Sequence, residues 1–330
     1  MELTTSKVYL PQELESAYIK PRRKKHVLLA LLAFLVMPPV LLISFYGYLS
    51  WTLARPSVEG LTSDPLKAVG LPYENITFPA VQHQSMLSGW FIPADDSDKT
   101  VIFSHGYAGN REEFWIPIYD IAKALHQRHY NVLMFDYGYV GAQPGRVVTA
   151  GVKESKELLG AVEFAKSKGA DQIFIWGFSM GAGTALQTAL SSRDITGMVL
   201  DSTFVLEPNT LMVNLKREFK LPDFPTLDML RILFPLVNGV SLSQIPYEKV
   251  KTTAFPMPIL MIHGMKDRLA PYSLAEDIIA HQKNPESRLW LLPNRGHERI
   301  YRFQPQEYLQ QTMQFLSKVS REAKLPSYSA

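Results

Sequence analysis

The segment Gly177–Gly181, which reads G-F-S-M-G, has the residue types and spacing of a nucleophilic serine on a tight turn. The apolar run 172–176 precedes it and the small-residue run 180–187 follows it, which predicts a strand, a sharp turn and a helix. Flanking glycines keep side chains away from such a turn, and the N-terminus of the following helix favours developing negative charge. We therefore expect Ser179 to attack a carbonyl carbon.

A serine hydroxyl needs a base to remove its proton, and His297 is the best placed of the eight histidines. It stands in the loop Pro293–His297, directly after the apolar run that predicts the last strand. In a parallel sheet this loop lies at the same carboxyl edge as Ser179. His263 closes a predicted strand, and we expect His105 to order its loop rather than to take part in catalysis.

The base in turn needs an acid that fixes its tautomer and stabilises its charged form. Asp267 follows the apolar run 258–263 in a short loop, and the chain order serine, aspartate, histidine is the one expected for such a strand–turn–helix nucleophile. Asp201 and Asp136 also end predicted strands and are the rivals. We favour Asp267 and expect Asp201 to organise its own turn.

Acyl transfer also requires hydrogen-bond donors for the oxyanion. The backbone N–H of Met180, directly after the nucleophile, is the first predicted donor. The second is expected from the loop 104–109, where we assign the N–H of Tyr107.

The elements that must position these residues alternate along the chain. Apolar, β-branched runs predict strands at Asn75–Phe78, Met86–Ile92, Val101–Phe103, Val132–Phe135, Ile173–Trp176, Gly197–Leu200, Ile259–Ile262 and Leu289–Leu292. Helical patterns cover Glu112–Gln127, Lys153–Lys168, Met180–Leu190, Ser273–His281 and Gln306–Glu322. This alternation predicts an α/β domain with a mostly parallel sheet, and the first two strands, which have no helix between them, are expected to be antiparallel.

The interval 204–255 interrupts this rhythm with about fifty residues between two predicted strands. It carries apolar helical stretches such as Leu227–Phe234. An insertion of this length in a compact domain is usually a lid, although a packed insertion that touches no ligand is the alternative.

Residues 27–50 form a stretch of 24 residues without a charged side chain. A helix of that length spans a hydrocarbon core of about 30 Å. The basic group 22–25 precedes it, and Tyr46, Tyr48 and Trp51 cluster at its far end as an interfacial aromatic belt would. We predict a single-pass membrane anchor with residues 1–26 as a cytoplasmic tail and the domain 56–330 outside; a cleaved signal peptide or a buried helix is the alternative.

Composition excludes several other classes of protein. The net charge is +3, and outside residues 1–26 the chain holds 28 basic and 28 acidic residues, so no nucleic-acid groove is expected. The chain has no cysteine, which excludes disulfides, thiolate metal sites and cysteine nucleophiles.

Six stretches together resemble the α/β-hydrolase superfamily, and most of all its membrane-anchored serine hydrolases. They are Gly89–Pro93, Ser104–Tyr107, Phe135–Gly138, Gly177–Gly181, His263–Asp267 and Gly296-His297. The resemblance implies an eight-stranded, mostly parallel sheet flanked by helices, a Ser179–Asp267–His297 triad and no cofactor or metal. The loop 138–145 departs from the pattern of many relatives, which weakens any inference about substrate but does not touch the triad.

The leading hypothesis is therefore a membrane-anchored serine hydrolase that cleaves carboxylic ester or related acyl bonds in small molecules. A peptidase of the same fold is the first alternative, with Glu207, Glu218, Asp223 and Asp228 of the insertion as carboxylates that could read a free amine. A catalytically silent, membrane-tethered binding protein is the second alternative, because a fold does not fix a function.

Overall fold

A computed structural model describes residues 12–81, 85–141 and 146–324 of the chain. The strands in chain order are β1 (Glu74–Pro79), β2 (Met86–Ile92), β3 (Lys99–Ser104), β4 (Asn131–Phe135), β5 (Gln172–Phe178), β6 (Gly197–Asp201), β7 (Ile259–Gly264) and β8 (Arg288–Leu292). The helices are α1 (Gln12–Leu53), α2 (Pro65–Val69), α3 (Ile118–His126), α4 (Glu154–Ser167), α5 (Met180–Ala189), α6 (Pro208–Phe219), α7 (Asp223–Asn238), α8 (Tyr247–Thr252), α9 (Tyr272–Ala280), α10 (Ile300–Phe303) and α11 (Pro305–Ala323).

The eight strands form one sheet in the order β1-β2-β4-β3-β5-β6-β7-β8. Strand β2 pairs antiparallel with β1 and β4, and the remaining pairs are parallel, which confirms the predicted antiparallel start and mostly parallel sheet. Strands β4 to β7 are buried along their whole length. Their unbroken apolar character follows from the helices that cover both faces of the sheet.

Two apolar cores lie on opposite faces of this sheet. One contains Leu158 of α4, Ala185 of α5 and Ile278 of α9, and the other contains Ile121 of α3 and Phe315 of α11. Parallel pairing brings the carboxyl ends of β5, β6, β7 and β8 to one edge, so that the loops that follow them lie side by side.

One predicted helix begins later than expected. The helical pattern that starts at Glu112 becomes helix only from Ile118, and the preceding residues form turns. Glu112 accepts hydrogen bonds from the backbone N–H groups of Thr62 and Ser63, while Glu113 has a positive φ of 39°. Both glutamates tie loops together, so their sequence pattern is helical but their backbone is not.

The interval 204–255 holds α6, α7, a 3-10 turn at Leu242–Gln244, and α8, between β6 and β7. Helix α6 contacts the loop that follows β7: Asn214 donates to the Leu269 carbonyl at 2.8 Å and Arg217 to the Arg268 carbonyl at 2.6 Å. The insertion is thus tied to a loop at the carboxyl edge of the sheet.

Residues Lys25–Leu53 of α1 are long and apolar enough to cross a membrane, with a mean hydropathy of 2.7 in their most apolar window, and the side chains of that window are not buried in the protein. A signal sequence can have the same length and apolar composition. Residues 1–11 of the predicted tail lie outside the described residues.

The last turns of α1 pack against the insertion. Tyr46 and Leu49 are buried in a cluster with Leu215 and Leu230, and the Tyr46 hydroxyl lies 2.7 Å from Thr226 Oγ1. Asn238 of α7 also bonds to α1, because its side-chain amide donates to the Ser50 carbonyl at 2.9 Å. Tyr46 is therefore a packing residue rather than a member of the expected aromatic belt.

The other two aromatic residues of that group, Tyr48 and Trp51, remain exposed and stack on each other at 6.2 Å between ring centroids.

Candidate active site

Ser179 stands on the turn between β5 and α5, with φ 49° and ψ −117°. This is a strained backbone conformation for a residue with a side chain, and such conformations cluster at functional sites. The neighbouring glycines, Gly177 and Gly181, are required because a side chain at either position would clash with nearby backbone. A Cβ on Gly181 would lie 2.0 Å from the Ser104 carbonyl oxygen, and one on Gly177 would lie 2.6 Å from Ala182 Cα. The turn can form only because both positions lack side chains.

We expect Gly181→Ala to lower the free energy of unfolding by about 3 kcal/mol or more, because backbone atoms of β3 cannot yield to the added methyl group. Denaturant unfolding in detergent would measure the change. Gly60→Ala is the matched control, since no atom of the described residues beyond its chain neighbours lies within 4 Å of its Cβ position. Equal stability of the two variants would show that the turn is not packed as described.

Ser179, His297 and Asp267, which come from three separate loops, meet at the carboxyl edge of the sheet. His297 Nε2 lies 2.8 Å from Ser179 Oγ, and His297 Nδ1 lies 2.6 Å from Asp267 Oδ2. The His297 side chain is 14% exposed and that of Asp267 is fully buried. The structure therefore brings the three residues singled out in the sequence into one hydrogen-bonded chain.

Asp267 also contacts a second histidine, which the sequence did not assign to the site. His263 Nε2, at the end of β7, lies 3.2 Å from Asp267 Oδ2 and 2.9 Å from the Ala270 carbonyl oxygen. The backbone N–H groups of Leu269 and Ala270 donate to Oδ1. Burial by itself would raise the pKa of the Asp267 carboxyl, but the hydrogen bonds from His263 and His297 outweigh it and hold the pKa well below its usual range.

The rival aspartates are engaged elsewhere. Asp201 is fully buried and accepts hydrogen bonds from the hydroxyls of Ser202 and Tyr308, and burial raises its pKa. Asp136 Oδ2 accepts hydrogen bonds from Arg111 Nη2 at 2.6 Å and from Arg111 Nε at 3.0 Å. Neither aspartate hydrogen-bonds a histidine in the part of the chain that the structure describes.

His105 is buried in the loop after β3. Its Nε2 accepts a hydrogen bond from the Tyr137 N–H at 3.1 Å, and burial lowers its pKa to about 4. The ring is therefore neutral at physiological pH and joins its own loop to the loop after β4.

The loop Ser104–Gly109 is held close to Ser179. Ser104 Oγ donates to the Gly181 carbonyl at 2.8 Å, and the Tyr139 hydroxyl donates to the Gly106 carbonyl at 3.0 Å. The Tyr107 hydroxyl donates to the Leu53 carbonyl at the end of α1. Within residues 12–81, 85–141 and 146–324, neither the Tyr107 N–H nor the Met180 N–H is engaged in a hydrogen bond.

Two glutamates that no sequence motif marks as site residues, Glu113 and Glu298, lie beside this loop. Glu113 Oε2 accepts a hydrogen bond from the Gly106 N–H, and Glu298 Oε1 is 4.0 Å from His297 Nε2. Burial raises the pKa of Glu113 to about 7 and that of Glu298 well above its usual value. In the sequence, only its position directly after His297 could have indicated that Glu298 lies near the site. No local pattern indicates this for Glu113.

The four carboxylates of the insertion lie beside basic side chains. Glu207 is near Lys251, Glu218 near Arg217, Asp223 near Lys216 and Asp228 near Arg231. The last three pairs lie on the protein surface and the Glu207 pair is partly buried, and such pairs explain these residues without a bound amine.

Among the described residues, the structure finds no group of three or more His, Asp or Glu side chains that could hold a metal ion. This arrangement supports nucleophilic attack by a serine hydroxyl. A histidine can accept the hydroxyl proton, a carboxylate hydrogen-bonds that histidine, and backbone N–H groups without an acceptor can stabilise an oxyanion.

Comparisons with known proteins agree with this fold. A family model described as the alpha/beta hydrolase fold matches residues 99–228. The chain is 26% identical over 279 residues to the uncharacterized protein YfhR of Escherichia coli, covering 82% of this chain and 85% of YfhR. It is 25% identical over 241 residues to the uncharacterized protein YqkD of Bacillus subtilis, covering 71% of this chain and 76% of YqkD.

Among solved structures, the esterase Pf2001 of Pyrococcus furiosus superposes with a TM-score of 0.65 and 26% identity, covering 81% of this chain and 98% of the esterase. This fold and the esterase neighbours indicate a hydrolase. Sheet order, family model and the superposed esterase together show that the chain has the α/β-hydrolase fold.

Proposed function

We propose that this protein is a membrane-anchored serine hydrolase that cleaves carboxylic ester or related acyl bonds through an acyl-enzyme. The observation that carries the proposal is the hydrogen-bonded chain from Ser179 Oγ through His297 to Asp267, with distances of 2.8 Å and 2.6 Å. These contacts match the geometry that an activated serine nucleophile requires.

In the proposed mechanism, Ser179 Oγ attacks the substrate carbonyl while His297 Nε2 takes its proton. The resulting oxyanion accepts hydrogen bonds from the N–H groups of Tyr107 and Met180, which have no other acceptor in the described chain. His297 then protonates the leaving alcohol. Attack of water, activated by the same histidine, releases the acid and regenerates Ser179.

An apolar acyl substrate fits the surface of the insertion. Phe224 is 79% exposed and Leu236 is 76% exposed, and both lie on α7. Helix α6 of the same insertion contacts the loop that carries Asp267. Exposed apolar side chains on this insertion would suit an acyl chain better than a charged peptide terminus.

Membrane anchoring is supported by the way α1 ends. Leu49 and Ala54 are buried, and Leu53 accepts a hydrogen bond from Tyr107 of the proposed oxyanion loop. Because removal of a signal peptide after this helix would strip these contacts from the folded domain, we propose that α1 is retained as an anchor. The basic group 22–25 before it would then place the N-terminus in the cytoplasm and the catalytic domain outside.

The test is hydrolysis of p-nitrophenyl esters from acetate to palmitate by the full-length chain in detergent micelles. We expect turnover, with a maximum at the chain length that the acyl pocket accommodates. Absence of turnover over the whole series, in protein shown to be folded by its thermal transition, would count against an ester substrate.

A further inference from the structure

Two buried carboxyl groups stand next to the nucleophile with no role in the mechanism above. Glu113 is 1% exposed and Glu298 is 6% exposed. Both have positive φ angles, 39° and 51°, although neither is glycine. Strain of this kind persists only where the surroundings hold the residue in place, and here it occurs twice beside Ser179.

Both carboxyl groups border the same small space at Gly106. A Cβ at this glycine would lie 3.3 Å from Glu298 Oε1, 3.6 Å from Glu113 Oε2 and 3.5 Å from Ser179 Cβ. Gly106 directly precedes Tyr107, the proposed oxyanion donor. Glu113, which accepts from the Gly106 N–H, is thus bonded to the backbone directly before the donor, and Glu298 borders the same glycine.

The two groups lack enough partners to be ionised together. The Gly106 N–H donates to Glu113 Oε2, but Glu113 Oε1 and Glu298 Oε1 are buried and have no hydrogen-bond partner among the described residues. Two buried carboxylates without a cation between them repel each other strongly. A proton shared by the pair removes one charge and supplies the missing donor.

The proton belongs on Glu298. The Gly106 N–H stabilises the ionised form of Glu113, whereas no N–H or O–H donates to the carboxyl group of Glu298 in the described chain. Burial and the nearby carboxylates of Glu113, Asp201 and Asp267 raise the pKa of Glu298 well above its usual value.

We infer that Glu298 is a positioning residue of the proposed hydrolase: as a neutral carboxyl group it donates to Glu113, and this pair fixes the Gly106–Tyr107 segment in the geometry that oxyanion binding needs. The inference rests on the proposed function, because it concerns the same oxyanion loop. Loss of the proton would set two negative charges against each other beside Gly106 and displace the Tyr107 N–H.

Activity is expected to fall as the pH rises through the pKa of Glu298. Below this pKa the hydrogen-bonded pair is intact and activity is full, and above it the loop is displaced and activity falls. The titratable groups that surround the pair are, besides Glu113 and Glu298 themselves, Asp201, Asp267, His297, Tyr139 and Tyr308.

Two of these neighbours cannot produce an alkaline fall. Asp267 is already ionised at neutral pH, because its pKa is held low. Burial raises the pKa of Tyr139 well above its usual value. Tyr107 itself, which carries the proposed donor, has a pKa raised by burial to about 12.

The test is the pH profile of kcat and KM for p-nitrophenyl butyrate from about pH 5 to about pH 10, read at the isosbestic wavelength of p-nitrophenol, with full-length protein in micelles. We expect kcat of the unmodified protein to fall about tenfold at alkaline pH with little change in KM, as partial loss of one oxyanion donor requires. Glu298→Gln, whose amide donates at every pH, is expected to abolish this fall. Glu113→Gln is expected to abolish it as well, because the repulsion then cannot arise.

Glu157→Gln is the matched control. Glu157 is also buried with a pKa raised to about 7, but it accepts hydrogen bonds from the Gly138 N–H and the Ser85 hydroxyl rather than from the Gly106 N–H. This variant should keep the alkaline fall. A purely structural role for Glu298 would lower the thermal transition and leave the shape of the profile unchanged.

The inference is overturned if Glu298→Gln shows the same alkaline fall as the unmodified protein, or if the unmodified protein shows none. If Glu298→Gln does not fold, the profile of Glu113→Gln decides the question in the same way. Failure of the proposed function is recognised separately, because Ser179→Ala would then hydrolyse the ester as fast as the unmodified protein.

Discussion

Ser179→Ala is expected to lower kcat for ester hydrolysis by about 10,000-fold or more, because no other group can form the acyl-enzyme. The substitution removes only Oγ, which contacts His297 Nε2 at 2.8 Å. The Cβ and the strained backbone of the turn remain as they are. The temperature of thermal unfolding should therefore change little.

The control for this variant is Ser191→Ala. Ser191 is exposed just after α5, on the same helix–turn unit but away from His297. It should leave both kcat and the thermal transition unchanged. A residual activity of Ser179→Ala above about one tenth of the original would mean that another residue is the nucleophile.

Asp267→Asn is expected to lower kcat by about 1,000-fold to 10,000-fold with the fold intact. The amide oxygen can still accept from the N–H groups of Leu269 and Ala270, so the loop is retained. The amide nitrogen, however, would face His297 Nδ1 where a carboxylate oxygen now accepts. The ring would then carry its proton on Nε2 and could not take one from Ser179.

His263 makes the effect of Asp267→Asn larger than in a simple triad. Its Nε2 also points at Asp267 Oδ2, and the Ala270 carbonyl nearby requires a proton on the same nitrogen. The variant would thus place an N–H group against a second N–H group. Because the asparagine amide does not ionise, raising the pH would not restore the carboxylate that accepts from both histidines. A loss below about tenfold would point to Asp201 as the acid instead.

The fold was predictable because its strands are buried on both sides. Unbroken apolar runs such as Gly197–Leu200 and Ile259–Ile262 are typical of strands in the middle of a parallel sheet, where both faces are buried. The start of α3 was not predictable, because Glu112 and Glu113 have a helical pattern but are used as hydrogen-bond acceptors by distant loops. Such long-range contacts leave no local signal in a sequence.

For the site too, residues with a local sequence pattern could be predicted and residues placed by long-range contacts could not. Ser179, Asp267 and His297 each follow a strand, so the parallel sheet alone predicts that their loops meet. His263 lies inside a strand, and Glu113 comes from a turn with no pattern of its own, so only the folded chain shows that they approach these loops. Tyr46 was misassigned for a related reason: an aromatic residue at the end of an apolar helix looks the same whether it meets lipid or protein.

The most direct test of the central claim is peptide mapping by mass spectrometry after reaction of the full-length chain with a fluorophosphonate, which reacts with activated serines. We expect one major adduct on the peptide that contains Ser179, greatly reduced in His297→Ala and absent in Ser179→Ala. A folded protein with no adduct, or with its adduct on another serine, would contradict the assignment of Ser179 as the activated nucleophile.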